Sequence, residues 1–320
     1  MSKPLIQKDY NLLTQLMQAD EDRLLGSLYN ILSKKYKDIT VTKEYLYAAG
    51  TDPVCLVAHV DTVFNSPPTD IFYDTNKNVM WSPQGLGADD RVGIFIILKI
   101  IESGYKPSII FTTGEEMGGI GATKFANTFE KPVIKTKFLV EFDRHGDKDC
   151  VFYHCGNKDF HDYIEKYGFE KAYGTFSDIS VICPKWDIAG VNLSVGYEDE
   201  HSYTEYLKIG IMMNTIEKAK KIIKESKDAP SFNYKAETYI YNNTSTNKSY
   251  VCYECMSIFP QYGGIDYVTK EGKIRHICDS CFSVMAEDVD WCSFCYQPYE
   301  KVEGKDHNCC PICAKEDKNV

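Results

Sequence analysis

Apolar positions along this chain keep two rhythms, and the rhythms alternate. Residues 8–36 follow the helical one: Leu12, Leu13, Leu16 and Met17 form one stripe. Leu24, Leu25, Leu28 and Leu32 form another, behind a start at Asp20 or Asp22. ITVTKEYLYAAG (39–50) alternates as a half-exposed strand does. VCLVAHVDTV (54–63) opens as an unbroken β-rich run, which suits a strand buried on both faces. Short strand-like pieces lie at 71–73 and 79–81 in a Pro- and Asn-rich segment. The run Val92–Ile101 is long enough for a core helix. Strand then helix recurs downstream: SIIFTTGEE (108–116) before a helix at 121–128, and KFLVEFDRHG (137–146) before a helix at 159–169. ISVICPKW (179–186) and AGVNLSVGY (189–197) read as strands, and 209–226 as a Lys-rich amphipathic helix. This alternation predicts an α/β fold: a mixed, mainly parallel sheet with helices on both faces.

The pattern breaks after residue 226. SKDAPSFNYKAETYIYNNTSTNKSY is polar and nearly free of aliphatics, so it reads as a linker. The predicted organisation is a domain at 1–230, a linker at 231–250 and a module at 251–320. Cysteine usage changes at the same place. Nine of the thirteen cysteines fall in the last 70 residues, while Cys55, Cys150, Cys155 and Cys183 are scattered and read as small buried hydrophobes. An odd count grouped in CxxC pairs indicates metal ligation in a reducing compartment rather than a disulfide framework. The opening MSKPLIQKDYNLL lacks a signal-peptide core, and no apolar run nears the roughly 18 residues of a membrane span. A cytoplasmic protein is therefore expected. The net charge of −10 argues against binding a phosphate backbone.

Candidate chemistry sits in five clusters: His59 and Asp61 in AHVDTV, Asp89 and Asp90 in GLGADDRVG, Glu115 and Glu116 in TTGEEMGG, Asp143 in EFDRHG, and His201 in YEDEHSYTEY. Four of the five stand at or just beyond the end of a predicted strand, and in a parallel sheet those ends share one edge. Asp89 and Asp90 alone would be read as helix caps; the other clusters suggest metal ligation instead. His59 and Asp143 can serve one ion, His201 and Glu116 a second, with Asp89 bridging. Such a pair ionises a shared water and polarises a carbonyl. Glu115, beside a ligand but free to point elsewhere, suits the general base, and Asp61 can fix the His59 tautomer.

The stretches AHVDTV, GLGADDRVG, TTGEEMGGIGA, EFDRHG and EHSYTEYL, in this order, resemble the di-zinc exopeptidase superfamily of aminopeptidases, carboxypeptidases and deacylases. The resemblance covers about residues 1–227. It implies the zinc-exopeptidase fold, zinc ligands at His59, Asp89, Glu116, Asp143 and His201, Glu115 as base and Asp61 as orienting residue. Many relatives insert a lid before the last histidine; here only 57 residues separate Asp143 from His201, so that lid is absent, which points to the aminopeptidase-like branch. Glu141, on the same strand face as Asp143, is the alternative third carboxylate. His145, His154 and His161 fit no motif and read as surface or packing residues. Arg91 and Arg144 are candidates for a substrate carboxylate or for pairing with nearby acids. Trp81 and Tyr197 read as core residues before pocket residues.

In the last 70 residues, Cys252/Cys255, Cys278/Cys281, Cys292/Cys295 and Cys310/Cys313 form four CxxC units. Their repeated spacing is a zinc signal and resembles zinc ribbons, so a small zinc-stabilised β-ribbon with two structural zinc ions is expected. Neighbouring pairs or alternate, cross-braced pairs can share a metal; spacing does not choose. Cys309 is spare, and His276 and His307 are substitute ligands. This module carries 7 Lys/Arg against 12 Asp/Glu, so a protein partner suits it better than nucleic acid.

The reading that uses all five clusters is metal-dependent amide hydrolysis of small peptides by an aminopeptidase. Its two catalytic ions would be zinc, with cobalt or manganese as substitutes in such N/O sites. An N-acyl amino acid deacylase or carboxypeptidase of the same fold is the first alternative. A non-catalytic interaction protein working through its zinc ribbons is the second.

Overall fold

The computed structural model describes residues 4–236, 249–254, 258–260, 264–285, 289–292, 298–301 and 310–311. The chain divides into two compact units, Met1–Tyr239 and Ile240–Val320. Much of the predicted linker, including 237–248, lies outside the described residues. Among the described residues no helix is long and apolar enough to cross a membrane.

The first unit is built on an eight-stranded mixed sheet. Its centre is parallel, in the order β6 (Ser108–Thr112), β3 (Val54–His59), β7 (Phe138–Arg144) and β10 (Gly190–Ser194). β1 (Ile39–Val41) and β2 (Tyr45–Ala48) extend one side antiparallel. β8 (Asp149–Val151) and β9 (Glu170–Lys171) complete the other. The unbroken apolar runs are strands covered on both faces. Along β3, Val54, Leu56 and Ala58 join one apolar cluster and Cys55 and Val57 the other, as period-2 side chains must. The first cluster takes in α1 (Gln7–Met17), α2 (Glu21–Leu32), α3 (Ala88–Glu102), α5 (Lys158–Glu165) and α7 (Ile209–Glu225). The second takes in α4 (Ile120–Thr128) and α6 (Asp178–Trp186). All four scattered cysteines are buried free thiols.

A smaller antiparallel sheet runs β11 (Tyr197–Glu198), β12 (Tyr206–Lys208), β5 (Val79–Trp81), β4 (Phe72–Asp74). Trp81 is 39% exposed and stacks on Phe72, so it is not a core residue. One predicted strand is a helix. Residues 179–186 belong to α6, which starts at a reciprocal Ser177–Ser180 capping box and buries Ile179, Ile182, Cys183 and Trp186. That i, i+3, i+4, i+7 stripe outweighs the β-branched content and Pro184, which sits in the last turn.

α3 is apolar around its whole circumference and is a core helix. Its contact with β7 depends on Gly93. A Cβ there would lie 2.5 Å from the Phe142 carbonyl oxygen and from both Asp90 carboxylate oxygens. A backbone atom cannot swing aside, so Gly93→Ala is expected to cost about 1–3 kcal/mol and lower Tm by roughly 2–12 °C. An unchanged melting curve would contradict this packing.

Candidate metal centre

Five acidic or histidine-bearing segments meet at the carboxyl-terminal edge of the parallel strands, where strand ends and the loops after them leave side chains free of the core. His59 is the last residue of β3 and Asp143 is near the end of β7. Glu115 and Glu116 lie in the turn after β6, entered through Gly114 at φ +66°. His201 lies in the turn between β11 and β12, itself left-handed at φ +61°. Asp89 and Asp90 open α3 with non-helical backbone angles behind a left-handed Gly87, and the peptide between them is cis.

Asp89 stands in the middle. Its Oδ1 is 3.0 Å from His59 Nε2 and its Oδ2 is 3.2 Å from His201 Nε2. Asp143 Oδ1 lies 3.4 Å from His59 Nε2, and Glu116 Oε2 lies 3.1 Å from His201 Nε2. Two donor sets result, one with Asp143 and one with Glu116, and both share Asp89. Asp61 supports them from behind. His59 Nδ1 lies 3.1 Å from the Asp61 carbonyl oxygen and 3.4 Å from its Oδ1. The same carboxylate accepts the backbone N–H groups of Glu115 and Glu116, at 3.3 and 3.1 Å. Asp90 stands apart in role: its buried carboxylate accepts the N–H groups of His59 and Gly93.

Glu141 is fully buried and accepts the Ser177 hydroxyl, and burial holds its carboxyl well above the usual range. Asp143 is the strand carboxylate that faces His59. Sequence reasoning passed over the residues that fix it. Ser177 Oγ lies 3.3 Å from Asp143 Oδ2, and the Tyr197 hydroxyl donates to Asp143 Oδ1 at 3.1 Å. Asn192 accepts the Asp143 N–H at 2.8 Å and donates to its carbonyl at 2.7 Å. An asparagine inside the apolar run AGVNLSV was a readable signal, because a polar side chain in a doubly covered strand must be partnered. Glu205 was passed over as well. Completely buried, it accepts the N–H groups of Gly87 at 2.7 Å and Asp89 at 3.1 Å, tying the Asp89 turn to the segment that carries His201.

The other candidates lie elsewhere. Arg91 is buried, and its Nη1 donates to the Leu16 and Ala19 carbonyls around the carboxyl-terminal end of α1. Arg144 pairs with Asp149 at 3.4 Å. His145 pairs with Glu200. His161 is buried against Phe152, with its Nε2 2.6 Å from the Cys155 carbonyl, and His154 is exposed.

The donor set fits divalent cations. Imidazole nitrogens and carboxylate oxygens of Asp89, Glu116 and His201 lie within 4.8 Å of one another, as do those of His59, Asp90 and Asp143 and those of His59, Glu115 and Glu116. Glu116 Oε1 is buried without a hydrogen-bond partner. Without a cation the cluster holds protons instead. Hydrogen bonds to Asp89 and Glu116 raise His201 from 6.5 up to about 11. Burial opposes charge on His59, yet Asp143, Asp61 and Asp89 together hold it well above its ordinary value. Burial, then Asp89, pushes Asp143 up to about 7, and burial pushes Glu115 up to about 9. The two imidazoles hold Asp89 ionised against its own burial.

Metal uptake must therefore displace protons. A ring whose folded value is raised keeps its proton, and the associated stability of the metal-free protein, below about 6.5; both are lost as pH rises through about 11. Cation affinity is expected to climb roughly tenfold per pH unit for each proton displaced, and to keep climbing above pH ~7, where ordinary histidines would level off. Chelator competition across pH ~6–9 measures this, and a plateau above pH ~7 would count against it.

Residues 40–180 match the sequence model of Peptidase family M28. No curated protein matches the chain. Among solved structures, the chain is similar to aminopeptidase PepT from Bacillus cereus at 15% identity, over 69% of this chain and 98% of that one, with a TM-score of 0.54. It is similar to a tripeptidase from Staphylococcus aureus at 15% identity, over 70% and 99% of the two chains, with a TM-score of 0.55. A TET aminopeptidase from a marine-sediment Thaumarchaeota archaeon matches at 13% identity, over 68% and 97%, with a TM-score of 0.53. At these identities the structural likeness is one of fold.

Proposed function

We propose, for a chain whose first unit is a metallopeptidase domain of the di-zinc exopeptidase superfamily, that it is an aminopeptidase acting on small peptides through two divalent ions, zinc foremost. The observation that carries this reading is the placement of Asp89, with one carboxylate oxygen toward each histidine and each histidine backed by one further carboxylate. His59, Asp143 and Asp89 would hold one ion; His201, Glu116 and Asp89 the other. When bound, the pair supplies Lewis acidity that polarises the scissile carbonyl and lets water attack near neutral pH.

The protein's own groups do the rest. Glu115 takes the proton of the attacking water and returns it to the leaving amine. Its backbone is held by Asp61, which also faces the His59 ring, so one buried carboxylate sets both a ligand and the base. Asp143 is held in register by Tyr197, Asn192 and Ser177, which leaves its Oδ1 directed at His59. Glu205 does the same for the bridging residue through the backbone amides of its turn.

The aminopeptidase reading, rather than a deacylase or carboxypeptidase, is supported by the likeness to aminopeptidase and tripeptidase structures and by the short Asp143–His201 connection. The test is a panel of peptides with free and N-acetylated amino termini, given to the metal-loaded full chain. Release of amino-terminal residues from the free members alone is the expected result. Cleavage restricted to the acetylated members would replace this reading with the deacylase one. No cleavage by protein shown to carry its metals would favour the non-catalytic role.

A further inference from the structure

The second unit is described from its own geometry. A two-stranded ribbon joins β13 (Ser249–Val251) to β14 (Ile258–Pro260). A four-stranded sheet runs β16 (Ile274–Cys278), β15 (Gly264–Val268), β18 (Pro298–Glu300), β17 (Val289–Trp291), and a short helix, α8 (Asp279–Met285), follows β16. Five of the eight CxxC cysteines, Cys252, Cys278, Cys281, Cys292 and Cys310, are among the described residues, and the spacing of the sequence leaves their pairing open.

The structure assigns the pairing, and we propose that this unit carries two separate thiolate metal sites, built from neighbouring rather than alternate CxxC units. Cys252, Cys278 and Cys281 hold one ion; Cys292 and Cys310 belong to the other. The first set is direct: the sulfurs of Cys252, Cys278 and Cys281 lie within 4.8 Å of one another. Cys252 is fully buried, and its Sγ lies 3.4 Å from the backbone nitrogen of Cys278, the N–H···S contact that stabilises a thiolate. These three cysteines pack with Tyr267 and Ile277.

The second set is placed by packing. Cys292 and Cys310, both buried, form a separate cluster with Val268 and Tyr299. Tyr267 and Val268 are consecutive in β15, so their side chains leave the strand on opposite faces. Ile265 pairs with Ile277 and Tyr267 with Arg275 on one face, and Val268 pairs with Tyr299 on the other; Cys278, paired with Gly264, is the last residue of β16 and joins its cluster from the end of the strand. A cross-braced arrangement would require Cys252 and Cys292 to share an ion, but they sit in separate clusters, and Cys252 is already grouped with Cys278 and Cys281. Cys255, Cys295 and Cys313, which the CxxC spacing offers as further ligands, lie outside the described residues. His276 is engaged otherwise, paired with Asp266 and with its ring centroid 3.8 Å from that of Tyr250, tilted by 44°.

The chemical class of the ligand follows from the donors. Clustered soft thiolates select zinc, and a site closed by sulfur keeps no position for water, so these ions stabilise the fold and take no part in hydrolysis. Among the described residues of this unit the apolar clusters are small and each contains cysteines, so metal binding and folding are coupled here. This inference is independent of the peptidase reading.

The test uses the full chain reloaded with cadmium and read by proton–cadmium correlation NMR. The β-protons of Cys252, Cys278 and Cys281 are expected to correlate with one cadmium resonance, and those of Cys292 and Cys310 with a second. Correlation of Cys252 and Cys292 with the same resonance would overturn the proposal, as would the absence of any thiolate-bound cadmium. Zinc counts on paired variants give a second reading. C252S/C278S should lose one ion relative to the unsubstituted chain and C252S/C292S two; the reverse order means cross-bracing. If both variants lose both ions because the unit unfolds, the correlation on the unsubstituted chain decides.

Discussion

Glu115→Gln is expected to retain both catalytic ions and lose about 10²–10⁴-fold in kcat, with KM and Tm nearly unchanged. The amide preserves the volume of the carboxyl and the backbone N–H that reaches Asp61, so the turn that also presents Glu116 keeps its shape. What it cannot do is accept and return a proton. The sign of the stability effect follows from burial, which pushes the carboxyl up to about 9 in the metal-free protein. Folding therefore opposes its ionisation at every pH above the ordinary carboxyl range, and an uncharged amide escapes that penalty. Metal-free Glu115→Gln should melt no lower than the parent at neutral pH. Activity on a free peptide, metal content by mass spectrometry and a thermal melt measure the three quantities separately. Retention of more than about a tenth of kcat would remove Glu115 from the role of base. Loss of metal along with activity would make it a ligand instead.

The first unit was legible in the sequence to an unusual depth because its candidate site sits at the ends of uninterrupted apolar runs. VCLVAHVDTV announces a doubly covered strand and breaks into polarity just where the strand leaves the core, which placed His59 and Asp61. The same logic served TTGEE and EFDRHG. It failed where a segment was too short to show its period. Residues 179–186 carry a helical stripe, yet eight residues rich in Ile and Val, with a proline, also describe a strand, and only the second apolar layer decides between them. It also failed for Glu205, which is written in the sequence like any solvent-facing glutamate in EDEHSYTEY. Nothing local shows that its carboxylate will meet backbone amides of a turn more than a hundred residues earlier. Arg91, adjacent to the acidic pair, looked available for a substrate; helix α1, distant in sequence, takes its guanidinium. Long-range partners of single polar residues are what one sequence conceals, since their satisfaction is decided by topology rather than by pattern.

Asp89→Asn is expected to remove both catalytic ions together and leave no measurable hydrolysis. Each donor set contains one histidine and one carboxylate of its own, and Asp89 turns one oxygen to each histidine, at 3.0 and 3.2 Å. An amide offers one oxygen in place of two and no charge, so one set loses its shared donor outright and the pair loses one negative charge. The affinity loss for each ion should exceed the roughly 10–100-fold that follows removal of an outer partner. Glu205→Gln supplies that smaller effect for comparison, since it disturbs the same turn through its N–H groups without touching a donor atom. The readout that separates ligation from folding is the metal-dependent rise in Tm. A ligand that binds only the folded state stabilises it by about 2.7 kcal/mol at a hundred times its Kd. This rise should vanish for the catalytic ions in Asp89→Asn and shrink in Glu205→Gln. The metal-free melt of Asp89→Asn should fall below the parent's at neutral pH, because the pairing that lowers Asp89 and raises His201 stabilises the folded state there, so the rise in Tm is read against each variant's own metal-free melt. If Asp89→Asn instead kept one ion at full affinity, that ion would rest on its own histidine and carboxylate, and Asp89 would be a ligand of one site rather than the link between two.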